Sequence, residues 1–231
     1  EVLQGGRIRN AINMPSIDPK DLQALRPYLD LCQRLGNFAR QASGGLVSSI
    51  HITYWGGIVD FDAVPLTRAV LKGWLAGIAG DEGINDVNAP HKIKALGIKV
   101  ETIKSSDLVD YSELIEVKTV SSEGQEQNVK GTLLGKGNDP RIVEVDGQAI
   151  EARPVDVLLV VRNVDKPGIV GKLGTILGDC GVNIANMSLS RAEEGEWALT
   201  IFELDHEPSD TALQALVGDP DIHEARISRQ G

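Results

Sequence analysis

Residues 155–181 read VDVLLVVRNVDKPGIVGKLGTILGDCG. The apolar run 155–161 reads as a strand, and the amphipathic run 172–181 as a helix. Between them, NVDKPGIVG (163–171) sets an Asp and a Pro-Gly step on a short loop. Pro167 sets the turn ahead of the helix, and Gly168 lets the backbone approach a neighbour closely. Read outward from this loop, the order is strand 155–162, helix 168–179, strand 182–190, strand 196–204, helix 209–217, strand 222–228. That βαββαβ succession is the split-βαβ arrangement. It predicts a four-stranded antiparallel sheet with two helices on one face and the other face, or an edge, left open for a partner.

The first half reads differently. Asp18-Pro19-x-Asp21 opens a helix, with Asp as cap and Pro in the first turn. Leu22, Leu25, Leu29, Cys32, Ala39 and Ala42 recur at helical spacing. Pro27 falls inside, which predicts a kinked helix or two helices. Ile50, Ile52 and Tyr54 alternate with Ser49, His51 and Thr53, as in a half-buried strand. A second helix covers 64–79, with Leu66, Val70, Trp74 and Ile78 on one stripe. Asn88-Ala89-Pro90 opens a third, short one. Strands follow at 98–104, 112–120, 127–134 and 141–145, and Asp146-Gly147 turns the chain into a last strand at 148–152. The fold class is therefore α+β: a mixed α/β unit, then a ferredoxin-like one. The domains divide as 1–17, the tail of a preceding domain; 18–152; and 153–231, with the boundary at Ala152-Arg153-Pro154.

With 231 residues there is room for two ordinary domains. Hydrophobic residues make up 42% and aromatics 4%, so the cores must be Val, Ile, Leu and Ala. The net charge of −10 argues against a nucleic acid or an anionic membrane as partner, though not against a small local basic pocket. Cys32 and Cys180 lie far apart in apolar helical patterns without metal-like spacing. They read as buried thiols of a reducing compartment, and a cytoplasmic location is expected. No run reaches the length of a membrane span, and no signal pattern opens the chain. The chain begins at Glu1, and a fragment of a longer protein is expected.

The loop has the chemistry of a small ligand site. The N–H groups of 168–171 lack intrahelical partners and carry the positive end of the helix dipole, which suits a carboxylate. Asp165 can accept an ammonium group. Asn183, in CGVNIAN, both donates and accepts. Together these describe a free amino acid. The plainer reading of the same residues is that Asp165 caps the helix and Asn183 occupies a turn.

Two resemblances sharpen this. N-x-D-x-P-G-I-V (163–170) and L-G-x-x-G-V-N-I (177–184) make residues 155–231 resemble ACT domains, the amino-acid-sensing modules of metabolic enzymes. GRIRNAINMPSI (6–17), LKGWLAG (71–77), DVNAPHKIKALGI (86–98) and GTLLGKGNDPRIVEVDG (131–147) resemble the regulatory half of long-form D-3-phosphoglycerate dehydrogenases. The resemblance implies an intervening domain followed by an ACT domain. It also implies L-serine or a similar amino acid as effector, self-association through the ACT domains, and catalytic domains of the same enzyme as partners. Carried over by position, the effector residues are Asn163, Asp165, Gly168, Ile169 and Val170, with Asn183 completing the pocket across a dimer interface. Asn163 departs from the pattern, which has His or Tyr there. The intervening domain's anion site falls on Arg141 and Arg153, whose plainer role is pairing with Glu144 and Glu151. NAD belongs to the implied parent enzyme. This chain shows no G-x-G-x-x-G between strand and helix and no catalytic set, so it is expected to be inactive alone, without a cofactor of its own.

No metal site is expected: Asp60-x-Asp62 lacks a third ligand and reads as a turn and helix cap. His51 and His91 receive no role. Two other readings stay open. One is the β part of an iron–sulfur L-serine dehydratase, whose P-S-S-S-H stretch is missing here; the other is a scaffold that binds nothing.

Overall fold

The computed structural model describes residues 19–76, 83–192 and 195–230. The first unit opens with α1 (Pro19–Ala42), a single helix that runs through Pro27. β1 (Val47–Gly56) follows, then a 3-10 turn (Gly57–Asp60), α2 (Ala63–Leu75) and α3 (Ala89–Ala95). Asp62 caps α2 by accepting from the Val64 N–H at 3.0 Å, as its sequence context predicts. Ile78, expected on the same helical stripe, lies outside the described residues, as does the Asp18 cap. β2 (Lys99–Ser105), β3 (Glu113–Ser121), β4 (Glu126–Leu134), β5 (Asp139–Val145) and β6 (Gln148–Ala152) complete a six-stranded sheet in the order β2-β1-β3-β4-β5-β6. β1 and β2 are parallel and joined through α2 and α3; the other pairs are antiparallel. Asp146 and Gly147 turn β5 into β6 with φ of 48° and 79°, a conformation that an Asp-Gly pair tolerates.

α1 and α2 cross with their backbones in contact. Gly36 on α1 and Gly73 on α2 make this geometry available, because a Cβ on Gly73 would stand 1.8 Å from the Gln33 carbonyl oxygen. The crossing lays Leu31, Leu35, Phe38, Val70 and Trp74 over Ile50, Ile52 and Tyr54 of β1, all buried.

The second unit comprises β7 (Val157–Val164), α4 (Ile169–Asp179), β8 (Ile184–Arg191), β9 (Trp197–Leu204), α5 (Asp210–Val217) and β10 (Ile222–Arg229). Its antiparallel sheet runs β10-β7-β9-β8. Leu159, Val161 and Phe202 face the helices and pack on Ile169, Leu173, Leu177 and Leu216.

The opposite face of this sheet is not open, contrary to one expectation. Leu158, Val160, Leu199 and Ile201 belong to the same core as α1 and the first sheet. Burying these four side chains favours the docked arrangement by roughly 6–12 kcal/mol, at about 1.5–3 kcal/mol each. Polar contacts seal the seam. Asn37 and Gln41 of α1 donate to the Arg229 carbonyl at 2.6 and 2.7 Å, and Arg226 donates to the carbonyl of Ala42. What remains open among the described residues lies at the sheet's edges, of which β8 is one and β10 the other. Cys180 is exposed rather than buried, because α4 ends at Asp179 and the thiol follows the last apolar position of the stripe, Leu177. Cys32 is buried, and desolvation pushes its thiol far above the usual cysteine range. Among the described residues no helix is long and apolar enough to cross a membrane, and no group of side chains could hold a metal ion.

Candidate functional site

β7 carries the chain into the loop, and Gly168, at φ 89°, turns it into α4. A Cβ there would meet nothing within 4 Å, so this position calls for glycine by its backbone conformation alone. No side chain caps α4. Among the described residues nothing accepts from the Val170 and Gly171 N–H groups, which face outward with the dipole behind them. Lys166 and Lys172 are engaged elsewhere. Lys166 binds Asp221 at 2.6 Å, and Lys172 binds Asp221 and Asp219 at 2.6 and 2.9 Å, which ties the start of α4 to the start of β10.

Asp165 is not the helix cap. Its carboxylate is largely buried, and its Oδ2 accepts from the Arg191 Nε at 2.7 Å. Arg191 ends β8, two strands away from β7, and its side chain is 71% exposed. A cation thus already stands where an ammonium group would. Asn163 is fully buried on the helix side of the sheet; its amide donates to the Val164 carbonyl and accepts from the Thr200 hydroxyl at 3.2 Å. It shapes the floor of the loop rather than offering a free donor. The Ile169 side chain lies in the core, whereas Val170 is 40% exposed beside the loop.

Asn183 is not brought to the loop within one chain. It precedes β8, at the end paired with Leu204, while Asp165 lies at the end where Arg191 pairs with Ala198. Asn183 is exposed and donates to Asp205 Oδ2 at 2.7 Å.

The two arginines of the candidate anion site do come together. Arg141 and Arg153 line one cleft of about 360 Å³, with Arg34 of α1 as a third guanidinium and Asp139 and Asp156 on its walls. Each arginine is held by other groups. Arg34 binds Asp30 at 2.9 Å and the Pro154 carbonyl at 2.6 Å. Arg141 pairs with Glu151 at 3.5 Å rather than with its sequence neighbour Glu144, which is taken by Lys130. Arg153 pairs with Glu203 rather than with Glu151. Glu203 is 1% exposed. Burial alone would push its carboxyl up. Donation from the Arg153 backbone, the Asn186 amide and the Arg153 guanidinium outweighs that and holds it below the usual carboxylate range.

Residues 24–146 match the family model described as the D-3-phosphoglycerate dehydrogenase intervening domain, more than half of the chain. The chain belongs to this family. Residues 157–219 match the ACT domain model. Relatives named D-3-phosphoglycerate dehydrogenase bear on both units. The one from Methanocaldococcus jannaschii is 33% identical over 98% of this chain and 42% of its own length. That from Synechocystis is 34% identical over 97% and 40%. That from Bacillus subtilis is 30% identical over 98% and 43%. The chain thus spans about two-fifths of the length of these relatives and corresponds to their C-terminal regulatory part.

Between the intervening domain and the ACT domain, Arg153 is the hinge of contact. Its backbone N–H and its guanidinium both reach Glu203, at 2.8 and 2.7–2.9 Å, so the linker is clamped to the back of the ACT sheet. A second bridge runs from the Asp146 turn of the intervening domain to Arg162 of β7, whose guanidinium lies 5.0 Å over the Trp197 ring. Sequence reasoning missed Arg34, Arg191 and Glu203. Only Glu203 left a local signal, as the single acid in the apolar strand WALTIFEL.

Proposed function

We propose that the chain is the regulatory part of an NAD-dependent D-3-phosphoglycerate dehydrogenase. In this reading the ACT domain binds a free amino acid, L-serine, at the 165–171 loop and self-associates in doing so. The NAD-dependent chemistry lies in catalytic domains outside this chain. The observation that carries the reading is the layout of β8. It is an edge strand, with the Arg191–Asp165 pair at one end and Asn183 at the other. Antiparallel pairing of β8 with a second copy, in a register centred on Met187, sets Asn183 of one copy opposite Arg191 of the other. Exposed Met187 and Leu189 lie on the same strand and would be covered. The effector carboxylate then takes the Val170 and Gly171 N–H groups, its ammonium displaces Arg191 from Asp165, and Asn183 of the second copy closes the pocket. In the same reading the Arg34–Arg141–Arg153 cleft receives a phosphate or carboxylate, for which guanidinium groups are suited.

Calorimetry with L-serine, combined with sedimentation, tests this. The chain should sediment as a dimer at micromolar concentration. Asp165→Asn should weaken serine by the worth of a charge-assisted hydrogen bond, roughly ten- to a hundred-fold. Mixing Asp165→Asn chains with Asn183→Ala chains should restore one tight site per mixed dimer, since one of its two pockets keeps both residues. A monomeric chain, or no recovery on mixing, would count against the shared site.

A further inference from the structure

The open end of the first sheet carries a feature that the amino-acid and anion sites do not use. β2 is the outermost strand, and both of its faces are exposed. Val100 is 38% exposed on the side of α2 and α3, and Ile103 is 41% exposed on the other side. No backbone group on the outer edge of β2 has a partner among the described residues. Alongside it runs a groove of about 520 Å³ between α2, α3 and β2, walled by Val64, Leu71, Ile93, Ile98 and Val100. Its polar floor is already satisfied: the Thr67 and Thr102 hydroxyls bond to each other at 3.2 Å, and Thr67 to the Tyr54 hydroxyl at 3.3 Å.

The charges around this groove are unusual for the molecule. Lysines and arginines elsewhere are mostly paired with carboxylates, as a chain of net charge −10 makes easy. Arg68 and Lys94 on the groove, and Lys92 and Lys99 next to it, have no carboxylate within ion-pair distance among the described residues. Four of the cations that lack a carboxylate partner among the described residues thus stand at or beside one strand edge with an apolar trough along it, while Arg26 and Lys136 are others elsewhere.

We propose that this edge receives an acidic, alternately apolar polypeptide segment in extended conformation, added to β2 as the next strand of the sheet. Strand addition uses the free backbone groups of β2 for affinity. Side chains alternate, so apolar residues of the added strand fall into the groove on one face and over Ile103 on the other. Its carboxylates meet Arg68, Lys94 and Lys99. A second copy of this chain is the wrong occupant, because two-fold pairing along β2 would set the same four cations against one another. A small amphiphile would leave Ile103 and the backbone edge uncovered.

The test uses the full chain and a fluorescent synthetic peptide alternating Glu or Asp with Val or Ile. Its control has the same composition arranged in acidic and apolar blocks. The alternating peptide should bind about ten-fold or more tightly than the control, and should slow amide exchange across 99–105. Arg68→Glu with Lys94→Glu, both surface changes, should weaken it about ten-fold or more. Equal binding of the two peptides, or unchanged exchange in β2, would overturn the proposal. So would displacement of the peptide by decanoate without loss of affinity in the charge-reversed chain, or self-association that Ile103→Lys abolishes.

Discussion

Gly73→Ala is the sharpest probe of the scaffold that carries both candidate sites. The new methyl would stand 1.8 Å from the Gln33 carbonyl oxygen and 2.6 Å from its carbon. Ordinary carbon–oxygen contact needs about 3.2 Å or more, so the two helices must part by roughly 1.4 Å. The obstacle is backbone, so no side chain can swing away. A gap of that size forfeits much of the contact energy between Leu31, Leu35, Val70 and Trp74, all buried at the crossing. The cost should reach about 3–5 kcal/mol, at the upper end for overpacking. Alanine's better helix propensity returns about 1 kcal/mol, leaving a net loss of ~2–4 kcal/mol. For a chain of this size the melting temperature should fall on the order of 5–15 °C. Gly36→Ala meets the Val70 carbonyl oxygen at 2.0 Å and should behave alike. The double variant should cost less than the sum, since helices already parted accept the second methyl. Gly174→Ala on α4 is the control: its Cβ meets nothing within 4 Å, so the same substitution should stabilise by about 0.5–1 kcal/mol. Thermal and urea unfolding of the four variants decide the matter. A Gly73→Ala chain as stable as wild type would refute the close crossing.

Two further outcomes follow from the charged groups. Arg191→Ala frees Asp165 from a competitor that is mostly in solvent, worth about 0.2–1 kcal/mol. Serine should then bind up to about five-fold more tightly, and a loss of affinity would instead make Arg191 a carboxylate anchor. Glu203, Asp219 and Asp221 are all held below the usual carboxylate range. In Glu203 burial is overcome by bonds from Arg153 and Asn186; in Asp219 the Asp221 backbone N–H and then Lys172 lower it; in Asp221 Lys166 and then Lys172 do so. Depressed carboxyls contribute stability that is present above their unfolded value of ~4 and lost as pH falls through the folded one. Urea midpoints should therefore drop steeply below about pH 4, and Glu203→Gln should flatten that drop while lowering stability at neutral pH. An unchanged acid profile in Glu203→Gln would show that the clamp does not titrate with folding.

The order of elements was legible because it is written locally. Alternation in Ile50, Ile52 and Tyr54, the Asp146-Gly147 turn and the Asn88-Ala89-Pro90 start each need only their neighbours to be read. The candidate loop was legible for the same reason, but its chemistry was not. Asp165 acquires Arg191 only because β9 inserts between β7 and β8, and no local pattern states that order.

The docking of the ACT sheet is a different case, since its signal was present in the chain. Leu158, Leu159, Val160 and Val161 are apolar at both parities, and all four are buried. A strand with one face in water alternates; one without alternation is covered on both faces. β9 repeats the pattern from Ala198 to Phe202, whereas β8 is exposed or half-buried throughout. The central strands therefore announced a second layer behind the sheet, and the edge strand announced where the sheet stays open. Glu203 extends the argument. An acid in such a strand must be matched by buried donors or lose its charge. Asn186 of the neighbouring strand supplies one donor and the residues packed on that face supply the rest, so the acid marks the surface where the linker, through Arg153, lies.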